Sequence, residues 1–501
     1  MENPSEPLLT EPASLSERQD SGWDIRNAVK NYASLVAAHG ATALFSFASV
    51  WLITKHLGSE GYGGIIAFVA ASQLVQIFLN WSATALARFG IEEFVETGKI
   101  TRSFWSRTLI LIPNLVLALL TSVFWLRPIA ELLNIPSGAV WLIGIHLSVT
   151  CIWLHIQYSM HAIKMLRLQG ILLAIERSLT FIGILALILA DRITWENALW
   201  CYILPPAILS LAGMFEIRPF VSFRAIVDRA QLRKMLVFSV PLIPFALVGY
   251  LSTSQLDAFF ITKYLSTRDL GIYAVAAQIN GMTMQLLIVA NTILLSMFVS
   301  LETVGDRLMV QRFLKEVLPS ATVFWLAMCV VLGTIGGFLI PLVFGPSYEL
   351  LRMPLFILLM GNAIGAPIYF GYAAFSNAIS ATYISTIAMV TAAAVNITLN
   401  FYLIPRYGLV GCALATFISV TVCCVVMVSL CHRKITVARI NLLIALSPIV
   451  LGMVMLAIVD SVMISAVVTI AATIVAALIL REPIQNAYRL ASKGIAFRTM
   501  N

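Results

Sequence analysis

The feature that most constrains this chain is a run of about twenty apolar residues, repeated along its length. A helix rising 1.5 Å per residue crosses the hydrocarbon layer of a bilayer in about that length, and lipid offers backbone N–H and C=O groups no other partner. Fourteen such runs are legible, at 32–54, 62–84, 108–127, 139–158, 171–190, 195–215, 236–261, 272–298, 317–340, 353–375, 383–403, 408–430, 441–459 and 461–480. Composition agrees: 60% of residues are hydrophobic and 11% charged, against about 25% charged in a soluble domain. The expected fold class is an all-α polytopic membrane protein.

Lys and Arg set the orientation, because the connecting loops are short. With the first end inside, 24 of the 32 fall on inner segments, seven on outer loops (Lys55, Arg127, Arg192, Lys263, Arg268, Arg352, Arg406) and one, Arg177, inside a span. Both ends are therefore expected in the cytoplasm. The net charge of +8 has the same origin, and no basic domain with interleaved aromatics points to nucleic acid. The first thirty residues are polar and rich in Pro, Ser and Glu, without the apolar core of a signal peptide. The expected layout is a disordered tail at 1–31, a six-helix bundle at 32–215, a cytoplasmic linker at 216–235, a second six-helix bundle at 236–430, two further helices at 431–480 and a tail at 481–501.

Enzymatic signatures are missing. There is no GxxxxGK[ST] loop, no HExxH and no GxSxG. The seven cysteines lack metal-ligand spacing, and two of them, Cys423 and Cys424, are adjacent. No cofactor is implied. The longest outer stretch is about 13 residues, too short to house a membrane polymerase's chemistry.

An internal repeat organises the spans. TKHLGSEGYGGIIAFVAA begins at Thr54 and TKYLSTRDLGIYAVAAQ at Thr262, so Thr54, Lys55, Leu57 and Gly63 coincide with Thr262, Lys263, Leu265 and Gly271 at an offset of 208. Both stretches leave an outgoing helix for an incoming one, and six spans separate them. The halves therefore run the same way through the membrane, related by an axis along its normal. Polar stripes recur on related faces: Gln73, Gln76, Asn80, Thr84 and Arg88 in span 2, and Gln278, Gly281, Gln285, Thr292 and Ser296 in span 8. His39, Thr42, Ser46 and Ser49 stripe span 1, with Ser46 and Ser49 mapping onto Ser254 and Asp257. Such stripes either hold helices together or line a wet cavity; the repeat favours the cavity, since a pseudo-axis brings related faces together.

HLGSEGYGGI, KYLSTRDLGIYAVAAQI, LVFGPSYELL and YLIPRYGLVGCALATFIS resemble the polysaccharide-transporter branch of the multidrug/oligosaccharidyl-lipid/polysaccharide exporter superfamily, over about residues 30–430. Those members are the O-antigen, capsule and exopolysaccharide flippases. The resemblance implies two six-helix bundles around a central cavity open alternately to either side, in the bacterial inner membrane. The implied cargo is an undecaprenyl-pyrophosphate-linked oligosaccharide unit, and polysaccharide polymerase and chain-length machinery are implied partners. The alternatives are another flippase or cation-coupled drug antiporter of the same superfamily, or a membrane glycan polymerase.

Candidate cavity residues are Arg88, Arg177, Gln73, Gln76, Asn80, Gln278, Gln285 and Ser296. Arginine is suited to bidentate contacts with pyrophosphate oxygens; the competing uses are an inner-face anchor for Arg88 and a snorkelling side chain for Arg177. Glu176, next to Arg177, is expected to serve as a structural partner. Asp257 and His39 are the candidates for coupling or gating.

Overall fold

The computed structural model describes residues 25–222, 228–240, 243 and 254–486. Among them there is no strand. Helix α1, Ile25–Asn80, breaks at Gly58, whose φ of 70° and ψ of −177° suit only glycine. It is followed by α2 (Ala83–Thr97), α3 (Thr101–Leu120), α4 (Ser122–Leu132), α5 (Val140–Ala162), α6 (Leu166–Leu189) and α7 (Trp195–Ile217). A connector leads to α8 (Arg229–Ser239) and α9 (Ser254–Tyr264). Then come α10 (Thr267–Val304), α11 (Arg307–Phe344), α12 (Pro346–Ala378), α13 (Tyr383–Cys431), α14 (Ile440–Val459) and α15 (Val462–Ile479).

Among the described residues, eleven helices are long and apolar enough to cross a membrane, and two of these, Gly40–Asn80 and Tyr383–Cys431, are long enough for two crossings each. The second breaks at Gly408 (φ 57°) and folds back there, so that a methyl on Gly411 would overlap the Leu403 carbonyl. The seventh expected span, 236–261, touches α8, Ile243 and α9, and its middle lies outside the described residues, as do 223–227 of the 216–235 linker and both chain ends.

Several span boundaries move. Span 2 stops at Asn80, and a turn at Trp81 and Ser82 starts the separate helix α2. With Arg88, Glu92, Glu93 and Glu96 in fifteen residues, α2 is too polar to cross lipid. The stripe running on to Thr84 and Arg88 is therefore cut after Asn80. Span 3 is α3, shifted toward the start, and it ends where the Thr121 hydroxyl donates back to the Leu117 and Ala118 carbonyls. That shift takes Arg107, one of the 24 cations placed on inner segments, inside a helix.

In the first half, α1 packs on α6, and α5 on α2 and α7; in the second, α12 packs between α11 and α13, and α14 and α15 pair beside α11. The halves join where α1 meets α10 and α9. A continuous core crosses the junction, with Ile53, Phe68, Ile261, Tyr273 and Phe356 all buried.

Candidate functional site

The repeat becomes a physical contact at the Gly58 end of the molecule. A methyl on Gly63 would overlap the Thr267 carbonyl and lie 2.9 Å from the Gly271 nitrogen. A methyl on Gly271 would overlap the Ser59 carbonyl and lie 2.9 Å from the Gly63 nitrogen. Ser59 and Thr267 are themselves 208 positions apart, so each half makes on the other the contact it receives, as at a two-fold axis. Only glycine permits two helices to approach this closely. The halves are sealed backbone to backbone at this end.

Along α1 from that contact, the stripe splits in role. Gln73 is half-buried. Gln76 donates to the Thr150 hydroxyl, and Asn80 donates to the Cys151 sulfur, 3.4 Å away, both on α5. These two hold helices together. Thr42 and Ser49 donate to carbonyls of their own helix, and the side chain of His39 lies outside the described residues. At the opposite end, Arg88 is 57% exposed, 3.8 Å from Glu92, with its guanidinium over the rings of Phe89 and Phe238 at 5.4 and 4.8 Å. It sits apart from Gln76 and Asn80, on a different helix.

On α10 the two faces differ. Asn362 of α12 donates to Asn280 Oδ1 and Thr283 Oγ1 at 3.1 and 2.9 Å, and its Oδ1 accepts from the Trp325 indole at 3.2 Å. That face is clamped into the second half. The other face carries Gln278, half-buried, and Gln285, exposed. The side chain of Ser296 lies outside the described residues.

Arg177 is the twelfth of the 24 residues of α6, deeper than a span starting at 171 would put it. Ile171, Ile175 and Ile182 form the exposed, lipid-facing side of that helix, and Arg177 lies about 145° around from them at 100° per residue. Its side chain is nonetheless 40% exposed, with one nitrogen 3.8 Å from Glu176, which in turn accepts from the Trp153 indole at 2.7 Å. A mid-span cation turned away from lipid and still open marks a polar interior surface.

Sequence reasoning missed a second interior cation. Arg107 is fully buried, donates to Asn80 Oδ1 at 3.1 Å and His155 Nδ1 at 3.0 Å, and covers the Tyr158 ring at 5.5 Å. Accepting at Nδ1, His155 carries its proton on Nε2 and donates to Thr108 at 3.1 Å. The Arg107 Nε has no hydrogen-bond partner. Its sequence signal was faint: an arginine abutting an apolar run, with partners 27 and 48 residues away.

Asp257 is the second half's counterpart. It is 3% exposed and accepts from the Tyr273 hydroxyl at 3.1 Å and from Asn400 Nδ2 at 3.2 Å. Asn400 also donates to Asn396 Oδ1 at 3.1 Å, and Asn396 reaches Thr416 at 3.5 Å, so both arms of α13 enclose the carboxylate. The Asn400 Oδ1 is buried without a partner. A hydroxyl from α10 and an amide N–H from α13 thus donate to one acid on α9, and no described Lys or Arg bridges it.

Among known proteins, the family described as polysaccharide biosynthesis protein matches residues 57–351. No curated protein sequence matches. Among solved structures, the fold is similar to the lipid II flippase MurJ in an inward closed conformation (16% identity, 90% of this chain and 99% of that one, TM-score 0.69). It is also similar to an inward-facing multidrug resistance MATE family transporter of the MOP superfamily (14%, 80% and 98%, TM-score 0.53) and to the MATE multidrug transporter DinF-BH (12%, 81% and 94%, TM-score 0.54). The fold is that of the MOP-superfamily transporters and flippases, and the chain is a multi-pass membrane protein.

Proposed function

Because this chain belongs to the polysaccharide biosynthesis protein family, we propose that it flips an undecaprenyl-pyrophosphate-linked oligosaccharide unit across the bacterial inner membrane. Both chain ends lie in the cytoplasm in this reading, and the Gly58 end faces outward. The sugars and pyrophosphate of such a cargo do not cross hydrocarbon unaided, while its polyprenyl tail remains in lipid. The observation that carries the reading is Arg177, half-open at mid-span on the side of α6 turned from lipid. A guanidinium there meets a pyrophosphate with two parallel hydrogen bonds. Gln73, Gln278 and Gln285 offer hydrogen bonds to sugar hydroxyls, and Arg88 receives the anion at the cytoplasmic mouth.

In the same reading Asp257 is the coupling group. A buried carboxylate with no described basic partner takes up a proton or a monovalent cation, and its occupancy shifts the balance between inward-open and outward-open states by differential binding. The test is deletion of the gene followed by assay of lipid-linked intermediates. Accumulation of a complete oligosaccharide-lipid on the inner leaflet, with loss of the exported polymer, is expected. Normal polymer with accumulation of a drug-like cation instead favours the antiporter reading.

A further inference from the structure

The 208-residue offset makes two seams between the halves, and they are closed differently. At one seam, Phe47 stacks edge-on against Phe344 with ring centroids 5.5 Å apart, and the Trp51 indole donates to the Val343 carbonyl at 3.3 Å. Counting 208 residues, the other seam has Gln255 in place of Phe47, Phe259 in place of Trp51, and Pro136 in place of Phe344. The Phe47–Phe344 pair therefore has no counterpart there. A cleft of about 290 Å³ stands open instead, walled by Leu74 and Leu132 of the first half and by Leu256, Phe260 and Phe401 of the second, with Lys263 on its lining.

The cleft has a direction. Lys263 lies seven residues beyond Leu256 on α9, about 10 Å along the axis at 1.5 Å per residue. The ammonium is thus at the Gly58 end and the apolar walls run inward from it. Phe260 and Phe401 meet edge to face at 5.0 Å, and the Lys263 ammonium lies 5.7 Å from the Phe401 centroid. The walls are preformed rather than assembled on demand. An apolar slot with one cation at its membrane-edge mouth complements a hydrocarbon chain that carries a phosphate at its end. Its volume lies just below the about 300 Å³ of the smallest ordinary ligand pockets, enough for part of a chain and too small for a saccharide headgroup.

We propose that this seam is the outer-side seat of the cargo's polyprenyl chain, with Lys263 holding the phosphate-bearing end as the lipid leaves the protein. The identity of the lipid rests on the flippase reading; the existence of the seat does not. Ordinary acidic phospholipid would offer a similar charge, but the slot lies where the two halves must part for transport, which is where the cargo's tail has to pass.

The experiment uses the full chain in vesicles of phosphatidylcholine with a diazirine-bearing polyprenyl phosphate as the photoprobe. The expected result is labelling of peptides containing Phe260 and Phe401, competed by unlabelled polyprenyl phosphate and much less by phosphatidylglycerol or neutral polyprenol. Lys263→Gln should lower labelling about five-fold, the worth of one cation at a membrane surface. Leu256→Trp, which fills the slot from one wall, should lower it with Lys263 intact, and circular dichroism and thermal melting of both variants check that they fold. Equal competition by phosphatidylglycerol, or labelling unchanged in both variants, overturns the proposal. Flipping of a lipid-linked oligosaccharide is measured in the same vesicles. Flipping with labelling confined to other helices overturns the seat and leaves the flippase reading standing. Labelling at the seam without flipping supports the seat and counts against that reading.

Discussion

In the first half the interior holds two cations: Arg107, fully buried with His155 and Asn80, and Arg177, half-open at mid-span beside Glu176. In the second half the interior charge is Asp257, enclosed by Tyr273, Asn396 and Asn400. The backbone plan is shared, down to the reciprocal glycine contact, yet the charges set in it differ: Arg177 lies beside Glu176, whereas Asp257 has no described basic partner. Burying a charge is costly unless something compensates it, and the two halves meet that cost differently. In the proposed reading, that difference puts the anionic cargo in the first half and the driving cation in the second.

The largest test of that division is Arg177→Glu, which should abolish export at normal protein abundance, since repulsion is added to a lost contact. Arg177→Ala should reduce export about thirty-fold or more, from the roughly 2–5 kcal/mol that truncating a hydrogen-bonded charge costs, and Arg177→Lys should keep part of it. Normal export by a well-expressed Arg177→Glu protein would remove the cargo from this residue and move attention to Arg88. Next comes Asp257→Asn. If the second half carries the driving cation, this variant still binds cargo but loses its response to an imposed potential. Its accumulation ratio at about 100 mV should fall by about fifty-fold, the roughly 2.3 kcal/mol of one charge; an unchanged response would strip Asp257 of the coupling role.

Gly63→Ala and Gly271→Ala sharpen the comparison from the side where the halves agree. Each places a methyl on the other half's backbone and should cost about 1–3 kcal/mol of stability. Because both break one contact, the double variant should cost clearly less than the sum of the two; additive melting shifts would mean two independent sites. Arg107→Lys should lower stability by about 1–2 kcal/mol, through loss of a hydrogen bond to Asn80 or His155, with a smaller effect on export than any Arg177 change. The smallest effect is a labelling difference on α10. In a Cys-less background, Gln285→Cys should react with a polar thiol reagent faster than Asn280→Cys, and equal rates would make both faces packing surfaces.

The repeat was legible because a backbone-to-backbone contact demands residue identity. Gly63 and Gly271 had to be glycine, and an offset of 208 exposed them. Asp257 was legible as an acid in an apolar run, although the Asn396 and Asn400 that enclose it lie more than 130 residues away and gave no local sign. Arg107 was misread for the same reason, since what makes it interior is contact with Asn80 and His155 on two other helices. The span 2 stripe failed by a different route. Its spacing to Arg88 assumed an unbroken helix, and the turn at Trp81 and Ser82 resets the angle of everything after it. Periodicity reports faces only as far as the helix persists.

The seal between Gly63 and Gly271 contains no side chain at its closest points, and therefore no charge. A gate latched by an ion pair weakens as salt rises and as one partner titrates. A latch made of peptide units against peptide units does neither. The strength of this seal should then be nearly the same in brine and in fresh water, and over the whole pH range in which the fold survives, so that salt and pH reach the Gly58 end through the interior sites. A cell that meets sudden changes outside its membrane would keep this door on the same spring, with the occupancy of the interior sites as the only hand on it.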